Sequence, residues 1–282
     1  SIIYHHIIRV ATLFRCVIVG MLLKLSCGAE IHYALQGTGP MNVLLLAPGG
    51  MQSTMDVWHS HPYNPWSSLP PENFRLIGMD QRNANNLSVG PIGSGWETYR
   101  DDQLALLDHL NIRENCLLVG SCIGPSFALA LLKHSRERFL AAVLLQPIGL
   151  SPHTTEPGEA WKGLNSGMRS SFKIWSDDML KNGRCTTEQI DVLHEQMYGP
   201  NNFFCFSVTE DDVSKIKHPL LVFMGKDKSH PSQTSRDIAT LSENAELVEH
   251  WRDGEDDPKN VQLKIEQFLS KHFTKSKGAT TM

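Results

Sequence analysis

Short apolar runs recur along the chain, each closing on a polar or glycine-rich turn: Val43 to Leu46, Leu76 to Met79, Leu117 to Val119, Ala142 to Leu145, Leu220 to Met224 and Leu247 to Val248. Runs this short and without polar alternation suit buried parallel strands, which are covered on both faces and have no side that favours water. Between them lie helical periods: Leu104, Leu107 and Leu110, then Phe127 to Leu132, and later Val261, Ile265, Phe268 and Leu269 at i, i+4, i+7 and i+8. Strand and helix alternate, which predicts an α/β chain with a mostly parallel, doubly wound sheet. Ahead of the first run, Met21 to Tyr33 alternates around Cys27-Gly28 as a hairpin opening a domain does.

The alternation stops between about Ser151 and Lys217. No strand run occurs there, but Thr186 with Gln189 forms a capping pattern ahead of Ile190, Leu193 and Met197. Residues 151–216 are therefore expected to be a helical cap inserted into a core made of 21–150 and 217–274. Trp161, Phe172, Trp175, Met179, Phe203, Phe204 and Phe206 give this insertion enough apolar bulk to lie over a mostly apolar pocket, although most are expected only to hold it onto the sheet. Residues 275–282 read as a frayed tail.

At the other end, Arg9 and Arg15 lead into an apolar run reaching Leu23, a pattern shared with secretory signals. The run is too short to span a bilayer and lacks a good small-residue cleavage site. The expectation is that Met21 is the natural start and that residues 1–20 are an upstream extension outside the fold.

Charge and cysteine usage narrow the function classes. The 282 residues include 26 Lys and Arg against 30 Asp and Glu, a formal charge of −4, with no long basic run. That balance argues against a nucleic-acid or anionic-membrane partner. The six cysteines have neither the density of a disulfide scaffold nor the spacing of a zinc site, and are expected to be reduced thiols in a cytoplasmic protein. No phosphate-binding loop, dinucleotide fingerprint or histidine–carboxylate metal motif occurs, so no cofactor is expected.

The stretch that carries chemistry is Leu117-Leu118-Val119-Gly120-Ser121-Cys122-Ile123-Gly124-Pro125. A strand meets glycines two before and two after Cys122, and a helix follows. This G-x-C-x-G pattern is a nucleophile elbow, in which a strained turn lifts the central side chain to the C-terminal edge of the sheet, beside a helix N-terminus that favours thiolate. Ser121 competes for the role, but its −2 neighbour is Val119, one residue out of register. The plain alternative is a small buried cysteine at a tight turn.

With the elbow in place, the chain from about Met21 to Phe273 resembles the α/β-hydrolase superfamily, in the variant with cysteine at the elbow. Three more segments match in order. Leu46-Ala47-Pro48-Gly49-Gly50-Met51 is similar to the oxyanion loop, with proline where histidine is commoner; the resemblance implies that the backbone N–H groups of Gly50 and Ile123 form the oxyanion hole. Met79-Asp80-Gln81-Arg82 through Ser88 is similar to a turn whose role is structural. Leu221 to Pro231 is similar to the late strand whose acid orients the catalytic base, which places Asp227 at that acid.

The resemblance breaks after the last strand. Relatives carry the base histidine there, yet Glu255 or a neighbour occupies that position, and no histidine lies between His250 and His272. His230, three residues after Asp227 at a position that in similar hydrolases holds an apolar pocket residue, comes first as a substitute. It could equally cap the helix opening at Pro231. His250 comes second, and a thiol without a base is the third alternative. For His59 and His61 the alternatives are the pocket mouth and a solvated loop, of which the loop is expected; their spacing is no metal site.

The reading with most support is a cofactor-independent hydrolase of an ester, lactone or thioester-like carbonyl on a partly apolar small molecule. Cys122 would form an acyl-enzyme and His230 with Asp227 would handle the proton. The alternatives are a non-catalytic protein of the same fold, binding a small apolar ligand or a protein partner, and an acyltransferase using the same thiol.

Overall fold

The computed structural model describes residues 19–149, 166–199 and 204–279. Eight strands form one sheet in the order β1-β2-β4-β3-β5-β6-β7-β8. They are β1 Val19–Lys24, β2 Glu30–Gln36, β3 Met41–Leu46, β4 Phe74–Met79, β5 Cys116–Ser121, β6 Phe139–Leu145, β7 Leu220–Phe223 and β8 Ala245–Val248. The expected hairpin is β1 with β2, antiparallel; β2 also pairs antiparallel with β4, and every other pair is parallel. Pairing starts at Val19, two residues before the expected start of the fold, and residues 1–18 lie outside the described residues.

Apolar runs produce this sheet because alternate residues on each strand bury on opposite faces. Leu44, Leu46, Leu118 and Leu144 join one core, Val43, Leu45, Val119 and Val143 the other, all with no exposed surface. The first core is closed by α2 (Trp96–His109) and α3 (Gly124–His134), the second by α1 (Pro65–Ser68) and by α8 (Pro258–Ala279) through Val261, Ile265 and Leu269. Each fully covered aliphatic side chain is worth about 1.5–3 kcal/mol of transfer free energy, so a strand exposed on neither face needs no polar positions.

Register positions the site. Leu46 pairs with Gly120, Ser121 with Leu145, Leu145 with Phe223 and Phe223 with Val248, so the C-terminal ends of β3, β5, β6, β7 and β8 form one row. The loops leaving that row carry Gly49-Gly50, Cys122, Gln146, Asp227 with His230, and Arg252. β3 and β5 are neighbours from which the chain winds in opposite directions, the place where open parallel sheets bind ligands.

Over that edge lie α4 (Ser166–Lys181) and α5 (Thr187–Tyr198), followed by α6 (Glu210–Ser214), with no strand among the described residues between β6 and β7. The Thr186 Oγ1 accepts from the Gln189 N–H at 3.3 Å while the Gln189 Oε1 accepts from the Thr186 N–H at 2.9 Å, the reciprocal cap expected from the sequence. Side-chain bonds tie this segment to the core: Trp175 Nε1 donates to Asn83 O (2.8 Å), Arg184 Nη2 to Asn83 Oδ1 (3.1 Å), Trp96 Nε1 to Met197 O (3.1 Å), and Lys133 Nζ to Asp212 Oδ2 (2.8 Å). Trp175, Met179, Phe204 and Phe206 are buried in the first core, whereas Phe172 also lines a cavity; Trp161 and Phe203 lie outside the described residues.

Candidate active site

The turn between β5 and α3 can be built only with glycine at both flanks of Cys122. A Cβ at Gly124 would stand 2.2 Å from the Leu46 carbonyl oxygen, and one at Gly120 2.6 Å from the Gly124 carbonyl carbon. Cys122 itself has φ 60°, a strained left-handed conformation for a side chain. Two bonds hold it there: its N–H donates to Leu145 O at 3.0 Å, and its carbonyl accepts from the Ile148 N–H at 3.1 Å. Ser121, the other candidate nucleophile, is fully buried, and its Oγ is bonded to His61 Nε2 at 2.7 Å. It faces away from any substrate.

His61 was expected in a solvated loop, and the structure corrects this. Its ring is half-buried, edge-on to Trp58 (5.2 Å) and stacked on Trp251 (6.4 Å between centroids), with Nδ1 against Tyr63 O at 2.8 Å. Burial, helped by the nearby charges of His230 and Arg252 and opposed by the Tyr63 carbonyl, lowers its pKa to about 4. At neutral pH it is an uncharged acceptor bracing the elbow from behind.

Cys122 opens onto a cavity of about 280 Å³ walled by Gly49, Gly50, Met51, Ile123, Ile148, Ser171, Phe172, Tyr198, Ser229 and His230. Gly50 has φ 59°, and neither its N–H nor that of Ile123 donates to another group among the described residues. Two unused amides on the wall beside a thiol are the kind of donor pair that holds a developing oxyanion.

His230 and Asp227 leave β7 in one tight turn. Asp227 Oδ1 accepts from the Ser229 N–H (2.9 Å) and the His230 N–H (3.0 Å). The His230 ring adds Nδ1 contacts at 2.8 and 2.9 Å to the two carboxylate oxygens. A carboxylate only accepts, so Nδ1 carries the hydrogen and Nε2 is left with its lone pair. That Nε2 is buried and closes no hydrogen bond of ordinary geometry. Burial disfavours the imidazolium, but the adjacent Cys122 sulfur and Asp227 carboxylate outweigh it, and the pKa lies above the usual histidine value. Asp227 is also partly desolvated, yet His230 and Arg252 hold its carboxyl below the usual range. The helix after this loop, α7 (Ser232–Leu241), has Pro231 as its N-cap and no side-chain cap, so His230 does not cap it.

The loop after β8 does not bring a histidine to this place. The His250 side chain is 72% exposed and pairs with Glu255 at 3.2 Å, while Glu255 pairs with Lys226. Arg252 turns inward instead: Nη2 donates to Asp227 Oδ2 at 3.2 Å, and Nη1 bonds Gln146 Oε1. Arg252 and Tyr198 carry no signal in the sequence, and His61 was placed in solvent; their burial and partners distinguish them. The Asp80 and Arg82 turn is a structural knot, with Asp80 accepting from the Met55 N–H (2.8 Å) and Asn85 Nδ2 (2.7 Å) and Arg82 Nε donating to Asp102 (2.8 Å). Among the described residues no three His, Cys, Asp or Glu side chains converge to hold a metal ion, and no helix is long and apolar enough to cross a membrane.

No protein-family model matches the chain, nor does any curated protein sequence. Solved structures do. A meta-cleavage product hydrolase from Pseudomonas fluorescens IP01 superposes with a TM-score of 0.61 at 18% identity, over 92% of this chain and 98% of that one. An enol-lactonase from Burkholderia xenovorans LB400 gives 0.54 at 22% identity, over 89% and 97%. An α/β-hydrolase fold protein from Chitinophaga pinensis gives 0.59 at 15% identity, over 91% and 96%. At these identities the likeness is one of architecture: the chain has the α/β-hydrolase fold.

Proposed function

We propose that this α/β-hydrolase-fold chain is a cofactor-independent cysteine hydrolase acting on an ester, lactone or thioester-like carbonyl of a small, partly apolar molecule. One observation carries the reading: Cys122 and His230 line the same cavity, the buried His230 Nε2 has no hydrogen-bond partner among the described residues, and Asp227 fixes the opposite ring nitrogen.

Cys122 sulfur attacks the carbonyl carbon while its proton passes to His230 Nε2, and the amides of Gly50 and Ile123 donate to the oxygen as it becomes negative. Collapse of the tetrahedral adduct breaks the bond to the leaving group, which takes the proton from His230. A thioester acyl-enzyme remains. Water then attacks it, giving its proton to Nε2; the second adduct expels the Cys122 thiolate, and the acid product leaves. Asp227 holds the ring in the tautomer that exposes Nε2 and stabilises the imidazolium formed in each half. The enol-lactonase and the meta-cleavage product hydrolase among its structural neighbours are consistent with carbonyl chemistry on this scaffold.

The test is intact-protein mass spectrometry of wild type and Cys122→Ala after brief exposure to p-nitrophenyl esters and aryl thioesters, with the released phenol or thiol followed alongside. Acyl mass gain and turnover in wild type alone are expected. Turnover that survives in Cys122→Ala overturns the reading, and no labelling in either protein favours a binding module of the same fold.

A further inference from the structure

Apart from His230, the cavity above Cys122 is walled by apolar atoms, glycine backbone and the hydroxyl groups of Ser171, Tyr198 and Ser229. Tyr198 is the unusual one. It is the last residue of α5, 4% exposed, and the partner of its hydroxyl among the described residues is the Met51 sulfur, at 3.9 Å. A thioether is a weak acceptor, so a fully desolvated O–H is left with most of its hydrogen bond unmade. Native interiors rarely leave a donor so placed unless something else fills the role.

Aromatic neighbours pack around the ring. Phe206 (5.3 Å), Phe172 (5.9 Å) and Trp96 (6.1 Å) all meet it edge-on, and Trp96 is itself bonded to the Met197 carbonyl next door. The hydroxyl is also a donor at every working pH. Burial, together with the neighbouring Tyr99 and Cys122, pushes the phenol far above its ordinary value. It is thus a protonated, dry O–H on the wall it shares with the nucleophile.

The cavity of about 280 Å³ has Tyr198 and Cys122 on one lining, so a ligand held beside the thiol meets both. We propose that Tyr198 is a specificity-determining residue: its O–H donates to a second oxygen on the acyl part of the substrate, close to the reacting carbonyl. The substrate class is then acyl compounds carrying an ether, keto or carboxylate oxygen beside the scissile group, and simple alkyl esters are disfavoured because they leave the hydroxyl stranded. This assignment rests on the hydrolase reading for its chemistry, but not for its binding.

The test uses two probes of one shape, p-nitrophenyl methoxyacetate and p-nitrophenyl butanoate, which differ by an oxygen in place of a methylene. The ratio of their kcat/KM values cancels general damage to the protein. Tyr198→Phe should lower the methoxyacetate-to-butanoate ratio at least tenfold, chiefly through KM for methoxyacetate, with thermal melting showing a folded variant. A ratio within twofold of wild type overturns the proposal.

A second measurement separates it from the hydrolase reading. Calorimetric titration of methoxyacetamide and butanamide into Cys122→Ala, and into Cys122→Ala with Tyr198→Phe, reads binding without turnover. Loss of preference for methoxyacetamide on the second substitution supports the role of Tyr198 even if wild type turns over neither ester, in which case the hydrolase reading alone fails. Equal affinities in both proteins, or binding of neither amide, overturn it.

Discussion

Asp227→Asn isolates the charge of the acid from its scaffolding. An asparagine keeps an oxygen for the Ser229 and His230 amides, which Asp227 Oδ1 now holds at 2.9 and 3.0 Å, so the β7 loop should survive. What goes is the negative charge against the His230 ring, contacted at 2.8 and 2.9 Å. Charge centres about 4 Å apart attract by about 4 kcal/mol at an effective dielectric of about 20. Because Asp227 is 43% exposed, solvent screening removes roughly half, leaving about 2 kcal/mol. At about 1.4 kcal/mol per decade that is a loss of about 30-fold in each step that passes through the imidazolium. The assay is stopped-flow release of p-nitrophenol from p-nitrophenyl acetate, in which the burst reads acylation of Cys122 and the slow phase reads its hydrolysis. Both should fall together. In a His230→Ala background the same substitution should add nothing, since the carboxylate acts only through the ring. A loss under about threefold in wild type, or an undiminished loss in the His230→Ala background, would refute the assignment of the pair.

Two further outcomes follow from the same geometry. The His230 imidazole, followed by NMR, should titrate above about 6.5 in wild type and shift down in Cys122→Ala, where burial is opposed by Asp227 without the sulfur; an unshifted titration would mean that the ring does not face the thiol. With a folded-state pKa raised above the unfolded one, the charged ring stabilises the fold below about 6.5, and that contribution is lost as pH climbs through the folded value. Gly124→Ala should both lower the melting temperature and slow acylation of Cys122, because its Cβ would press within 2.2 Å of the Leu46 carbonyl oxygen and force α3 off β3. Overpacking of this kind costs about 1–3 kcal/mol, and a variant matching wild type on both readouts would count against the elbow geometry.

The sheet was legible because its cause is local. Six apolar runs, a hairpin pattern and the elbow glycines each impose their element whatever the surroundings, and all six runs became strands in parallel contact. Cys122 was legible for the same reason: the glycines two before and two after it answer to backbone contacts within a few residues and to one strand end. His230 was visible only through its spacing from Asp227. The residues that were misplaced or escaped notice owe their roles to distant partners. His61 reaches Ser121 across 60 positions and is half-buried by Trp58 and Trp251, so nothing around it in sequence separates it from His59. Arg252 sits in an acidic, solvent-facing stretch and turns inward because Gln146 and Asp227 wait at the ends of β6 and β7. Tyr198 has no sequence signal of its own on α5, and only its weak bond to Met51 at the cavity wall singles it out.

The departure after β8, which from sequence weakened the case for catalysis, has a geometric resolution. β7 and β8 are parallel neighbours with Phe223 opposite Val248, so their loops emerge side by side at the edge that carries Cys122. A base supplied from either loop can therefore reach the elbow. On the proposed reading the base comes from the β7 loop, and acid and base then stand three residues apart in one turn, closed by reciprocal backbone bonds of 3.1 and 3.3 Å between Asp227 and His230, so their alignment does not depend on two loops keeping register. The β8 loop is then free for another task, and Arg252 supplies it: a cation on the outer oxygen of Asp227, anchored to Gln146, that keeps the carboxylate charged when the ring beside it is neutral. A histidine in the β8 loop would compete with His230 for the same carboxylate oxygens, whereas an arginine bonds the outer one and leaves the ring its partner.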